Sequence, residues 1–65
     1  MIGQYILKEE SRFRCENEVF DLCKGAKVKV KNFSTEYKEV LVDFNNGIVA
    51  WYPDLYLNKF EKVEE

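Results

Sequence analysis

Apolar and polar residues alternate along this chain in short runs separated by turn formers, a pattern that predicts strands rather than helices. The clearest case is Val40 to Leu57, VLVDFNNGIVAWYPDLYL: an apolar strand, an Asn-Asn-Gly turn, a second apolar strand and a Pro-led turn. Asn45, Asn46 and Gly47 tolerate the left-handed backbone angles of a tight hairpin loop, and their neighbours are the β-branched and aromatic types that fill strands. Upstream, AKVKVKNF alternates strictly, with Ala26, Val28 and Val30 on one face and Lys27, Lys29 and Lys31 on the other. Gly3 to Glu9 begins as a strand with Tyr5 and Leu7 on one side. Val19 to Gly25 reads as a short strand carrying Phe20 and Leu22 into a glycine turn, and Phe60 marks a closing strand within Asn58 to Val63. Leu55 to Leu57 suits a single tight helical turn after Pro53, Ser34 to Lys38 a polar loop, and Glu64 with Glu65 a frayed end. Glu9 to Glu18, EESRFRCENE, shows neither period clearly; a short amphipathic helix and a long ordered loop both fit its two apolar anchors, Phe13 and Cys15.

The central hairpin admits two registers. A two-residue Asn46-Gly47 loop sets Val42 opposite Trp51 and buries the indole with Val40 and Phe44. A three-residue loop, a type I turn followed by a left-handed Gly47, sets Val40 opposite Tyr52 and Val42 opposite Ala50. Trp51 then lies on the other face, beside Leu41 and Val49, because a slip of one residue inverts every side chain.

Sixty-five residues make one domain, 1–65, and so small a chain buries only about 60% of its unfolded surface. Its composition, 46% hydrophobic and 34% charged, is that of a folded globular protein, and five Phe, four Tyr and one Trp can fill a core and leave rings over for a binding surface. The net charge of −2 provides no long-range field toward nucleic acid or an anionic membrane. No basic leader or long apolar run is visible, so a cytoplasmic protein is expected. Cys15 and Cys23 are read as reduced thiols with Cys23 partly buried; with no histidine and no CxxC pair, neither a metal nor another cofactor is expected. The carboxylates Glu9, Glu10, Glu16, Glu18 and Asp21 read as solvated loop charge rather than a tuned acid–base pair, and no Ser or Cys adjoins a base, which argues against an enzyme.

Two segments carry a family resemblance. VFDLCKGAKVKVK is similar to the diverging turn of SH3 domains, and AWYPDLYL is similar to the SH3 segment in which a small residue, an aromatic, an apolar residue and Pro precede a turn with Tyr. Together they cover about Val19 to Leu57. The resemblance implies an all-β fold: a five-stranded SH3-like small barrel with a long loop after the first strand and a one-turn 3-10 helix before the last. It places Pro53 and Tyr56 in the ligand groove and Trp51 on the open face, which favours the three-residue loop. The aromatic first-strand motif is not recognisable around Tyr5, and the tryptophan pair of the third strand is missing, with only Tyr37 nearby.

The expected function is therefore a non-catalytic module binding a protein or peptide through Trp51, Pro53, Tyr56, Tyr37 and Tyr5. Glu16 and Glu18 flank this surface and favour a basic partner, and the chain is expected as a monomer or weak oligomer. Two alternatives stand beside it: a nucleic-acid-binding barrel using Lys27, Lys29, Lys31 and Lys38, and an accessory subunit of a larger bacterial or bacteriophage assembly.

Overall fold

The structure, a computed structural model, describes residues 2–63; the frayed end expected at Glu64 and Glu65 lies outside them. Seven strands run in the order β1 (Gly3–Leu7), β2 (Ser11–Cys15), β3 (Glu18–Leu22), β4 (Lys27–Ser34), β5 (Glu39–Asp43), β6 (Val49–Pro53) and β7 (Phe60–Lys62), with a 3-10 helix, Asp54–Lys59, between the last two. They form two antiparallel sheets, one of five strands ordered β6-β5-β4-β1-β7 and one hairpin, β2-β3. Among the described residues no helix is long and apolar enough to cross a membrane.

The all-β expectation holds, but the five-stranded barrel does not. Strands β6 and β7 remain the two edges of an open sheet, so no ring closes. What covers the apolar face is the hairpin, and its existence corrects the helix-or-loop reading of Glu9 to Glu18. The alternation there is real but disguised by charge: Phe13 and Cys15 face inward while Arg12 and Arg14 face water, and Glu16-Asn17 makes the reversal, with Glu16 at φ 52. Phe13 pairs across the hairpin with Phe20 and is buried among rings from the sheet. The 3-10 segment is also longer than the single turn expected, six residues rather than three.

The core is the inward set of this sheet. Tyr5 and Leu7 of β1, Val28 and Val30 of β4, Val40 and Val42 of β5, Tyr52 of β6 and Phe60 of β7 are all buried, joined by Phe44 and capped by Phe13. A bulge between Val30 and Asn32 interrupts β4, so the strict alternation of valine and lysine ends at Lys31 and Phe33 comes opposite Val40.

The central hairpin takes the three-residue register. Val40 lies opposite Tyr52, Leu41 opposite Trp51 and Val42 opposite Ala50, and the Phe44 N–H donates to the Ile48 carbonyl at 3.1 Å. The loop is not a type I turn, however, because Asn45 is already left-handed at φ 61. Side chains hold it there: the Asn45 N–H donates to Asp43 Oδ1, Asn45 Nδ2 donates to the Lys27 carbonyl, and Asn46 Oδ1 accepts from the Ile48 N–H. Gly47 follows at φ 91 with open space around its Cα. Substituting Gly47→Val should therefore destabilise through backbone strain alone, by about 1–2 kcal/mol. Chemical denaturation of the variant checks this, and an unchanged midpoint would contradict the left-handed turn.

Strand geometry also settles the thiols. Cys15 sits at the turn end of the hairpin opposite Glu18, while Cys23 follows Leu22 at the open end, opposite Ser11's end of β2. Four residues of strand separate those ends by roughly 14 Å, too far for a disulfide, and both cysteines are free. The expectation that Cys23 is partly buried is corrected: Phe20 and Leu22 take the inward positions, so Cys23 is exposed and it is Cys15 that is half-buried.

Candidate binding groove

The bulge in β4, the β4-β5 turn and the start of the 3-10 helix together place apolar side chains where no core remains for them to fill. Phe33 is 41% exposed, Tyr37 70% and Leu55 72%. With Pro53 they wall a groove of about 650 Å³ whose rim carries Lys38, Glu39 and Asp54. Its frame is fixed by hydrogen bonds: the Asp54 N–H donates to the Lys38 carbonyl at 2.8 Å, which ties the helix start to the turn, and the Tyr37 N–H donates to Ser34 Oγ at 3.2 Å. Lys38 holds the turn at φ 54.

Of the residues expected to form a contact surface, Tyr37 and Pro53 lie in this groove. Trp51 is on the open face of the same strand as Pro53, 45% exposed. It borders a separate gap, with Glu16 across from it at the tip of the β2-β3 hairpin. Glu18 is exposed on β3. Tyr56 is half-buried and stacks on Tyr52, ring centroids 4.9 Å apart, so it serves the aromatic core as much as any surface. Tyr5 corrects the expectation: at 6% exposed it is an inward residue of β1, a strand flanked by β4 and β7, and burial raises its phenol pKa. Phe33 and Leu55 were not expected here. The signal for Phe33 was the break in the lysine alternation after Lys31, which shifts the next apolar position by one.

Trp51 outside the core has a measurable consequence. Its fluorescence in dilute solution should be red-shifted and quenchable, and Trp51→Ala should leave the melting temperature nearly unchanged. A blue-shifted emission, or a loss near the 3–5 kcal/mol typical of a buried Trp, would contradict the register.

The lysines divide. Lys27, Lys29 and Lys31 line the outer face of β4, but Lys29 lies opposite Asp43 and Lys31 Nζ bridges Asp43 Oδ2 at 3.3 Å. Lys38 belongs to the groove at the far end of β4, roughly 20 Å along the strand from Lys27. The four do not make one patch.

Two carboxylates titrate low. Asp43 is held below its ordinary value by the hydrogen bond from the Asn45 N–H, assisted by Lys31 and Lys29, and Asp21 by the hydrogen bond from Arg12 Nε at 2.9 Å. A depressed folded pKa contributes stability that is fully present above the unfolded value, about 4, and is lost as pH falls through the folded value. The melting temperature should therefore drop below about pH 4. Asp43→Asn should flatten that acid limb more than Asp21→Asn, because the Arg12–Asp21 pair is solvent-screened on both sides. Identical acid limbs in wild type and Asp43→Asn would contradict the assignment.

No family model, no curated protein and no solved structure matches this chain.

Proposed function

We propose that the chain is a non-catalytic binding module that holds an extended protein or peptide segment in the groove walled by Phe33, Tyr37, Pro53 and Leu55. The observation that carries this reading is the convergence of three exposed large apolar side chains and a proline on one concavity, since solvent alone does not favour such a cluster. The rim and its turn carry Glu36, Glu39 and Asp54 against Lys38, so the occupant is apolar with Lys or Arg beside the apolar residues.

A resemblance to SH3 domains, without the closed barrel, remains part of the proposal. It is supported by the strand order, by the 3-10 helix before the last strand and by the position of the groove between a strand–strand turn and that helix. Two departures bear on the ligand. Tyr5 is in the core and β5 begins Glu39-Val40 without tryptophan, so the aromatic slots for polyproline are incomplete and the ligand is not confined to proline-rich sequence.

Calorimetric titration with a pair of apolar decapeptides, one carrying two Arg and one two Glu at the same positions, tests the proposal. The basic peptide should bind with a Kd below about 1 mM and weaken with salt, and the acidic one should not bind. Failure of both at millimolar concentration would overturn the reading. So would micromolar binding of a single-stranded oligonucleotide at physiological salt that disappears when Lys27, Lys29 and Lys31 become Glu.

A further inference from the structure

Strand β6 is an edge, and its hydrogen-bonding phase is fixed. The Phe44–Ile48 bond and the bond from the Asp54 N–H to the Lys38 carbonyl bracket the β5–β6 register. In an antiparallel pair, hydrogen-bonded and non-bonded positions alternate, so Ala50 and Tyr52 direct their backbone groups at β5. Val49 and Trp51 therefore direct theirs outward, and among the described residues neither backbone makes a hydrogen bond to another part of the chain.

Edges are normally blunted by charge. The opposite edge, β7, carries Glu61 and Lys62, and the β2-β3 hairpin carries Arg12, Arg14, Glu18 and Asp21. Strand β6 reads VAWYP: it has no charged residue, and both Val49 and Trp51 expose their side chains beside their free backbone groups. Only Pro53, at its end, limits pairing.

We propose that β6 is a self-association edge, and that its occupant is β6 of a second copy of this chain, antiparallel about a two-fold axis through Ala50. The phase of the ladder selects this register. With Ala50 opposite its own counterpart, Val49 of each copy faces Trp51 of the other, and the N–H and C=O of both residues are satisfied, four hydrogen bonds in all. Centring on Trp51 would instead place Val49 against Pro53, which has no N–H to give, and centring on Val49 would place Trp51 against Gly47, whose φ of 91 is not that of a strand. The selected register also stacks Trp51 on Val49 twice on the outer face, an aromatic–β-branched cross-strand pair. Ala50 is small enough to meet itself on the inner face. Arg14 and Glu16, of opposite charge, border the gap of about 350 Å³ along β6, so the hairpin tip beside this edge adds no net charge of one sign from these two residues. A net charge of −2 per chain opposes pairing only weakly.

Val49 and Trp51 do not line the peptide groove, which takes only Pro53 from this strand, and the test keeps the two surfaces apart. Sedimentation equilibrium of the full chain should show a monomer–dimer system with a Kd between about 10 µM and 1 mM, in keeping with an interface below the standard size. Amide exchange should slow at Val49 and Trp51 as concentration rises, and not at Gly47. Val49→Lys should weaken the dimer at least tenfold with the melting temperature unchanged. Val49→Pro, which removes an N–H that the monomer does not use, should do the same. Tyr37→Ala and Leu55→Ala should leave the dimer intact. A monomer mass throughout this range would overturn the proposal, as would a dimer indifferent to both Val49 substitutions or one without protection at Val49 and Trp51.

Discussion

Phe13→Ala should leave little folded protein at room temperature. The ring is 1% exposed and reaches five others, with centroid distances of 5.1 Å to Phe44, 5.9 Å to Phe20 and Phe60, and 6.3 Å to Tyr52 and Tyr56. It is the point at which the β2-β3 hairpin is fastened over the sheet. Truncating such a residue costs about 3–5 kcal/mol, part lost transfer energy and part cavity. A domain of this length has only about 3–10 kcal/mol of stability in total. The Tyr52 hydroxyl, which donates to the Arg14 carbonyl at 2.9 Å, is a second tie between hairpin and sheet, but a net hydrogen bond worth about 1 kcal/mol cannot replace the ring. Far-UV circular dichroism with thermal melting reads the outcome. Val19→Ala, on the outward side of the same hairpin, should move the melt by little. A Phe13→Ala protein that melts within a few degrees of wild type would mean that the hairpin does not cap the core.

The second large effect is on binding rather than folding. Tyr37→Ala and Leu55→Ala each remove a wall of the groove at a position more than two thirds exposed, so neither should lower the melting temperature appreciably. Against the basic decapeptide each should weaken binding by roughly ten- to a hundredfold, the range of an interface hot spot. Lys29→Glu, on the outer face of β4, is the control and should change affinity by less than about threefold. If the lysine substitution weakens binding as much as the aromatic one, the groove is not where the ligand sits.

How far the sequence alone reaches differs from segment to segment. The β5-β6 hairpin was legible because Asn45, Asn46 and Gly47 mark the turn and because small Ala50 suits a place inside. Even there two registers survived on local pattern, and what separates them in the structure is long-range: Tyr52 packing on Phe13 and donating to the Arg14 carbonyl, and Asn45 reaching the Lys27 carbonyl. The β2-β3 hairpin was hidden because charged residues occupy its outward positions so densely that two inward anchors, Phe13 and Cys15, did not stand out as a period. Sheet closure was misjudged for a related reason. Local alternation specifies which face of a strand is apolar, but not whether another strand or a hairpin covers it.

The groove was the least visible feature. Phe33, Tyr37, Pro53 and Leu55 come from a bulged strand end, a turn, an edge strand and a 3-10 helix, and no spacing in the chain links them. Tyr37 and Pro53 could be singled out as an exposed aromatic and a turn proline. Phe33 required the bulge after Lys31, and Leu55 the outward setting of the first turn of the helix, both properties of the folded chain. Tyr5 shows the converse: it shares with Leu7 the face of β1 that joins the core, so its ring is buried whatever its hydroxyl could offer a ligand.

The most direct measurement is a map of backbone amide shifts in ¹⁵N-labelled protein as the basic decapeptide is added. The account predicts that the shifted resonances cluster at Phe33 to Glu39 and at Asp54 and Leu55, with Lys27 and Lys29 unmoved. Shifts confined to the lysine face of β4, or spread along β7, would contradict it.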